Sequence, residues 1–73
     1  MQNLKDSKVE SVVKTRLLFE SQVSGTAIEV EVDNGIVTLT GMVDTDSEKQ
    51  LAMAIAQNTD DVKEVVSNLT IGK

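Results

Sequence analysis

Apolar and polar residues alternate strictly along two adjacent segments in the middle of the chain. The first segment runs from Ile28 to Asp33 and reads IEVEVD, and the second runs from Ile36 to Val43. Alternation with a period of two is typical of strands that bury one face. Between them lies Asn34-Gly35, the preferred pair for a two-residue type I′ turn, in which both residues need a positive φ. The pattern therefore predicts a β-hairpin.

The turn also predicts the register of this hairpin. With Asn34-Gly35 as the loop, Asp33 faces Ile36, and each preceding residue faces the next one along the second strand. One face then collects the aliphatic residues Ile28, Val30, Val32, Val37 and Leu39. The other face collects Glu29, Glu31, Asp33, Thr38 and Thr40. A slip of one residue would mix the two sets, so turn and pattern support each other. Gly41 falls at an inward position, which indicates either a close approach of a helix or a bulge.

A helical pattern precedes the hairpin. Four aliphatic residues follow the spacing of one helix face: Val9, Val12, Val13 and Leu17. Ser7 and Glu10 have the spacing of a capping box, so we expect the helix to begin at Ser7 and to end near Glu20 or Ser21. Residues 1–6 are then a flexible or frayed segment.

Three further side chains of this helix have predicted positions. The stem of Arg16 should pack beside the apolar stripe while its charged head reaches the edge. Phe19 should extend the flank of the stripe, and Leu18 should point away from it. Turn residues follow the helix at 24–26, where the sequence reads Ser-Gly-Thr.

A second helix and a third strand follow the hairpin. Thr45 and Glu48 form another capping box, which predicts a helix from about Asp46 to Asn58. Its apolar side should be anchored by Leu51 and Ile55, with alanines around them at positions 52, 54 and 56. The last strand is predicted over residues 62–71, with three residues facing inward: Val65, Leu69 and Ile71. Residues 72–73 are a tail.

The predicted order of elements is α-β-β-α-β, which is an α+β fold. The connection from the second strand through the second helix to the third is a crossover, so the third strand should run parallel to the second. Both helices should then cover one face of a small three-stranded mixed sheet over residues 7–71. The order of the three strands in the sheet stays open.

The composition excludes several classes of function. The chain has 73 residues, which suffice for one small domain. It contains no Cys and no His, so thiol and imidazole chemistry and most zinc sites are excluded. A single aromatic residue and a net charge of −5 argue against a nucleic-acid surface. No stretch has the roughly 20 apolar residues of a membrane span.

Clusters of carboxylates do not suggest catalysis or metal binding. Asp44, Asp46 and Glu48 fit the positive end of a helix dipole, and Asp60-Asp61 is too short for a calcium loop. The pair Glu29 and Glu31 lies on an open sheet face, where nothing would desolvate the two carboxylates for acid–base work. We therefore expect no enzyme activity, no catalytic residue, no cofactor and no metal.

The charges are distributed unevenly along the chain. Residues 1–19 hold four bases against two acids, whereas residues 20–73 hold three bases against ten acids. The first helix is therefore mildly basic, which can be a solvated face or an anion-facing one. If it faces anions, the residues in contact with anionic phospholipid are Lys8, Lys14, Arg16 and Leu18. The alternative is a protein-interaction surface, either an edge strand or the open sheet face with Glu29, Glu31, Thr38 and Thr40.

The sequence resembles the BON domain, a small module of osmotically induced and secretin-related proteins of bacterial envelopes. The resemblance is carried by helix-one residues 13–17, the hairpin from Ile28 to Val43 with Gly35 and Gly41, and the stretches 52–56 and 62–69. It covers nearly the whole chain, and it implies a non-enzymatic domain that binds phospholipid or proteins, commonly in the periplasm. The isolated domain is expected to be a monomer.

Two features depart from the family pattern. The family usually places Gly before the last strand, where this chain has Asp61. Asp adopts the left-handed conformation at some cost, so the turn at this point is in question. The family also often has a short strand before helix one, for which Leu4 is the one apolar anchor here.

Overall fold

A computed structural model describes residues 4–20 and 28–72 of the chain. It contains helix α1 (Leu4–Phe19), strands β1 (Ile28–Asp33) and β2 (Ile36–Val43), helix α2 (Asp46–Gln57) and strand β3 (Glu64–Ile71). The predicted order and fold class are confirmed. The sheet has the order β1-β2-β3, with β1 antiparallel and β3 parallel to β2. The turn predicted at residues 24–26 lies outside the described residues.

The hairpin has the predicted register throughout. Asp33 pairs with Ile36, and Ile28 pairs with Gly41. Asn34 and Gly35 have φ values of 53° and 83°, which the type I′ turn requires. The pairing continues without interruption through Gly41, so this glycine does not mark a bulge. Its φ of 137° is a backbone conformation that residues with a Cβ rarely adopt.

The hydrophobic core lies between the two helices and one face of the sheet. Its largest completely buried side chains are Val13, Leu17, Val37, Leu39 and Val43. In α2 the fully buried residues are Ala52 and Ala56, while Leu51 and Ile55 are only partly buried against the core. The predicted anchors therefore lie on the flanks of the contact. The short alanine side chains let the helix backbone approach the sheet, and the longer residues fill the sides.

Two residues are more exposed than predicted: Ile71, which was expected to face inward, and Phe19, which was expected to extend the flank of the apolar stripe. Ile71 is 49% exposed because it is the last residue of β3, a strand at the edge of the sheet, whereas its partner Val43 in the central strand β2 is buried. Phe19 is 83% exposed at the last position of α1. Within β3, Leu69 is buried and Val65 partly buried, as predicted, although the strand begins at Glu64 rather than at residue 62.

Helix α1 begins at Leu4, three residues before the start that the capping box predicts. The reason is the Asp6 side chain, which is 4% exposed and accepts two backbone hydrogen bonds from the hairpin turn. The Asn34 N–H donates to Oδ2 at 2.9 Å, and the Gly35 N–H donates to Oδ1 at 3.2 Å. This contact holds the first helical turn against the sheet. Residues 4–6 therefore belong to helix α1, and Ser7 is an exposed residue inside the helix.

The same turn also holds the loop before β3. The carbonyl oxygen of Gly35 accepts a hydrogen bond from the Lys63 N–H at 2.8 Å. A Cβ at position 35 would lie 2.9 Å from Lys63 Cγ and 3.3 Å from the Asp61 carbonyl oxygen. Asp61 has a φ of 71°, which is the left-handed conformation that favours glycine. The family that the sequence resembles usually has glycine at this position. Helix α1, the hairpin turn and this loop therefore meet at Gly35.

The ends of α2 follow the sequence prediction closely. Thr45 is the N-cap, and its hydroxyl accepts a hydrogen bond from the Glu48 N–H at 3.1 Å. Asn58 is the C-cap, one residue after the last helical residue Gln57. The next residue, Thr59, is buried, and its hydroxyl donates to the Ile55 carbonyl at 2.9 Å. These bonds satisfy backbone groups that a helix end would otherwise leave without partners.

Candidate lipid-binding surface

The four residues predicted to contact lipid are all exposed on α1, but they do not share one narrow face. A helix turns about 100° per residue, so Lys14 and Arg16 lie about 200° apart around the axis. Leu18 follows Lys14 by one helical turn and lies on the same side. Lys8 and Arg16 lie on the opposite side of the exposed surface. The structure therefore divides the predicted set into two pairs.

The cation on the first side already has an acidic neighbour. Lys14 Nζ lies 2.9 Å from Glu10 Oε2, one helical turn earlier. Such an exposed ion pair contributes about 0.3–0.5 kcal/mol to the helix, so it is easily exchanged for another anion. Lys14 can contact a lipid headgroup, but it brings less net positive charge to that surface than the sequence suggests.

Phe19 belongs to the exposed surface, although the sequence pattern assigns it to the flank of the core. It is 83% exposed, and its neighbour Leu18 is 60% exposed. The helical spacing could have indicated this exposure, because Phe19 follows the buried Leu17 by about 200° and so lies on nearly the opposite side of the helix. The C-terminal end of α1 therefore presents two large apolar side chains beside its cations.

A shallow groove follows the side of α1 that carries Lys8 and Arg16. Three depressions of about 400, 240 and 150 Å³ adjoin one another, and Arg16 lines all of them. We call this feature the α1 groove. It runs from Phe19 and Ile55 at one end, past Val12, to Lys8, Asp60 and Asp61 at the other. Sequence reasoning missed the groove because Ile55 and the two aspartates belong to distant segments.

The register brings together the residues predicted for a protein partner. Glu29 pairs with Thr40 and Glu31 pairs with Thr38, so all four lie on the sheet face that points away from the helices. Glu29, Glu31 and Thr40 are exposed, and Thr38 is partly buried. Among the elements that the structure describes, none covers this face. Asn34, Gly35 and Gly41 have the structural roles described above.

Two kinds of feature are absent from residues 4–20 and 28–72. Neither helix of this part of the chain is long and apolar enough to cross a membrane. Over the same ranges, no three side chains from His, Cys, Asp and Glu are grouped so that they could hold a metal ion. In the acidic segment before α2, Asp46 Oδ2 instead accepts a hydrogen bond from Gln50 Nε2 at 2.7 Å.

Comparison with known proteins identifies the family. The sequence model of the BON domain matches residues 5–73. The chain belongs to the BON domain family. A curated relative is the osmotically-inducible protein Y of Escherichia coli (strain K12), which is 34% identical over 64 residues. These residues make up 88% of this chain and 32% of the relative, so the chain spans about a third of that protein's length.

The match covers most of the elements that the structure describes. It begins in the first turn of α1, so it includes Asp6 and the contact of this helix with the hairpin turn. The family match thus confirms the resemblance that was inferred from the hairpin and its two glycines. The family match does not assign a role to the exposed surfaces of α1 and of the sheet.

Proposed function

We propose that this BON domain is a non-catalytic binding module of a stress-related bacterial envelope protein, and that it docks on anionic phospholipid through the exposed side of α1. The observation that carries the proposal is the exposed pair Leu18 and Phe19 at the end of a helix whose described side chains include three exposed cations. Large apolar side chains beside lysine and arginine are typical of helices that lie in a membrane interface.

The energies favour a combined contact over either part alone. Each basic residue close to an anionic membrane contributes about 1 kcal/mol, and this falls off within a Debye length. Burying a Leu or Phe side chain contributes about 1.5–3 kcal/mol. The apolar pair is therefore worth at least as much as the three cations. The net charge of −5 opposes the approach, so one domain should bind weakly, and several copies would add avidity.

The fold gives this contact a defined orientation. Both helices lie on one face of the sheet, and Glu29 and Glu31 are exposed on the other. With α1 on an anionic membrane, these carboxylates point away from the lipid charge. The opposite orientation would bring like charges together.

Co-sedimentation with vesicles tests the proposal. At low salt, the domain should bind phosphatidylglycerol vesicles more strongly than phosphatidylcholine vesicles. The double variant Leu18→Ser, Phe19→Ser should lose most of this binding, and Lys8→Gln should weaken it about fivefold, as expected for about 1 kcal/mol. Lys49→Gln is the matched control, since it removes one lysine from α2. Equal binding to both kinds of vesicle would refute the proposal.

The location of the complete protein is part of the same proposal. The BON family resemblance implies a module of bacterial envelope proteins, and the curated relative is named as osmotically inducible. We place the protein in the periplasm. Fractionation of cells that express the complete gene product tests this, and recovery of the protein in the cytosolic fraction would contradict it.

A second candidate function is binding of a protein partner by the open sheet face. It is favoured by the register, which places Glu29 and Glu31 beside Thr40 and Thr38 on a face that no described element covers. Amide shifts of these strands on addition of an envelope extract fraction would support it. An unchanged spectrum with every fraction would count against it.

A further inference from the structure

The hairpin turn contains two residues that can react with each other. Asn34 is the one asparagine of the chain that precedes a glycine, since Asn3, Asn58 and Asn68 precede leucine or threonine. The backbone nitrogen of the following residue can attack the side-chain amide of an asparagine, and glycine hinders this attack least because it has no Cβ. Asn34 is exposed, so water and dissolved base reach its amide. The turn therefore contains the reactants of a spontaneous deamidation.

The reaction needs no cofactor and no oxidant. The Gly35 nitrogen gives up its proton to a base and forms a bond to Asn34 Cγ. The Cγ–N bond of the side-chain amide breaks, and ammonia leaves with that proton. Water then adds to one of the two carbonyl carbons of the resulting succinimide ring and opens it. One opening gives aspartate, and the other gives isoaspartate, in which the main chain passes through the former side chain and is longer by a CH₂ group.

The type I′ turn keeps the two reacting atoms apart. Ring closure requires the Gly35 nitrogen to lie on the same side of the Asn34 Cα–C bond as Asn34 Cβ, because both atoms belong to the succinimide ring. The φ values of 53° and 83° are those of a type I′ turn. In such a turn ψ of the first central residue is about 30°, which places the following nitrogen nearly opposite to Cβ. The Cα–C bond of Asn34 must therefore rotate out of the turn before the ring can close.

Helix α1 opposes this rotation. Asp6, in the first turn of α1, accepts hydrogen bonds from the Asn34 N–H at 2.9 Å and from the Gly35 N–H at 3.2 Å. The Gly35 carbonyl oxygen accepts a hydrogen bond from the Lys63 N–H at 2.8 Å. Both backbone polar groups of the buried Gly35 are thus bonded. The peptide group between Asn34 and Gly35 can rotate only after its hydrogen bond to Asp6 is broken.

We propose that Asn34-Gly35 is a self-modification site that helix α1 keeps inactive. While the Asp6 carboxylate holds the turn, Asn34 persists. When the first turn of α1 leaves the sheet, Asn34 deamidates, mainly to isoaspartate. The longer main chain of isoaspartate does not fit a two-residue type I′ turn, so Asp6 does not regain both donors and a transient release of α1 becomes permanent. Asp6 is a positioning residue in this reaction, and the site is independent of the proposed lipid contact.

Mass spectrometry of the folded domain in mildly alkaline buffer tests the site. Deamidation is measured on the peptide that contains Asn34, and isoaspartate is detected by methylation with an isoaspartate-specific methyltransferase. The folded wild type should deamidate at least tenfold more slowly than the same chain in denaturing urea. Asp6→Ala should deamidate about tenfold faster than the folded wild type, as expected for the loss of a hydrogen bond to a charged group. Asp44→Ala, at an exposed aspartate, is the matched control and should behave like the wild type. Asn68, which precedes Leu69, is the internal control and should stay unmodified.

A second comparison separates the release of α1 from a general loss of stability. The wild type is placed in the urea concentration at which its free energy of unfolding equals that of Asp6→Ala in buffer. Asp6→Ala should still deamidate at least fivefold faster, because its turn opens without unfolding of the whole domain. Equal rates would show that only global unfolding exposes Asn34 to the reaction, and they would overturn the proposed role of α1.

Two other outcomes would also overturn it. Slower deamidation of Asp6→Ala than of the wild type would mean that the carboxylate acts as the base that takes the Gly35 proton. A folded wild type that deamidates as fast as the urea-unfolded chain would mean that the turn gives no protection. Asp6→Asn retains one acceptor oxygen and should show an intermediate rate at Asn34, so it replaces the alanine variant if that variant does not fold.

Discussion

Replacement of Asp6 by alanine tests how the first helix is held on the sheet. Its carboxylate is 4% exposed and accepts hydrogen bonds from the backbone N–H groups of Asn34 and Gly35. Alanine removes both acceptors. Water can reach the Asn34 N–H, since this residue is exposed, but the Gly35 N–H is buried and loses its partner. The variant therefore leaves a buried donor unsatisfied.

The size of the effect follows from these two bonds. A hydrogen bond to a charged group contributes about 1.5–3 kcal/mol, and an unsatisfied buried donor costs about 1–3 kcal/mol. We expect Asp6→Ala to lower the free energy of unfolding by about 2–3 kcal/mol. A 73-residue domain has a total of about 4–11 kcal/mol at 0.05–0.15 kcal/mol per residue, so the variant loses a large part of its stability.

Urea unfolding followed by circular dichroism measures this loss. In a thermal scan, the same change should lower Tm by about 10–20 °C, because 1 kcal/mol corresponds to about 4–8 °C in a domain of this size. Asp6→Asn retains one acceptor oxygen and should lie between the wild type and alanine. Asp44→Ala, at an exposed aspartate, is the control and should change the stability by no more than about 0.5 kcal/mol.

The reasoning fails if Asp6→Ala loses less than about 0.5 kcal/mol. It also fails if amide hydrogen exchange at Gly35 is as slow in the variant as in the wild type. Either result would mean that the turn does not depend on the carboxylate and that α1 is held by its aliphatic stripe alone.

Three further substitutions probe the turn, a helix cap and the core. Gly35→Ala should lower the free energy of unfolding in urea by at least about 1–2 kcal/mol. A residue with a Cβ is strained by that amount in the left-handed conformation, and Lys63 Cγ must also move away. An unchanged free energy of unfolding would contradict the packing at this turn. Thr45→Ala should lower the free energy of unfolding by about 1 kcal/mol, whereas Thr45→Ser should leave it almost unchanged because serine keeps the capping hydroxyl. Equal losses in the two variants would show that the hydroxyl does not stabilise the helix as a cap. Leu39→Ala should lower the free energy of unfolding in urea by about 2–5 kcal/mol, because Leu39 is completely buried. A loss well below about 2 kcal/mol would show that the core refills the space.

The parts of the fold that depend on neighbours in sequence could be predicted. The period-two alternation and the Asn34-Gly35 pair predict the hairpin and its register together, because the turn type aligns the strands. Thr45 predicts the start of α2 because its cap bond spans only three residues. The sequence left the turn at Asp61 open, and the structure shows that Asp61 adopts a positive φ there.

The candidate sites could be predicted only in part, because a helix has sides that the sequence pattern resolves poorly. The exposed cations and Leu18 were identified, but Phe19 was assigned to the core flank although it is 83% exposed. A residue at the last position of a helix has no following turn to cover it. The α1 groove adds Ile55 from α2 and the aspartates before β3, which no local pattern connects with α1.

The sequence by itself determined the hairpin, its register, the α-β-β-α-β order and the absence of thiol and imidazole chemistry, since each depends on composition or on residues a few positions apart. Only the tertiary structure decided where α1 begins and what its outer side faces. The Asp6 carboxylate finds its partners 28 and 29 residues later in the chain. Ile55 of α2 lines one end of the groove, beside Phe19 of α1. Such contacts join residues with no local relation, and they exist only once the helices have packed on the sheet.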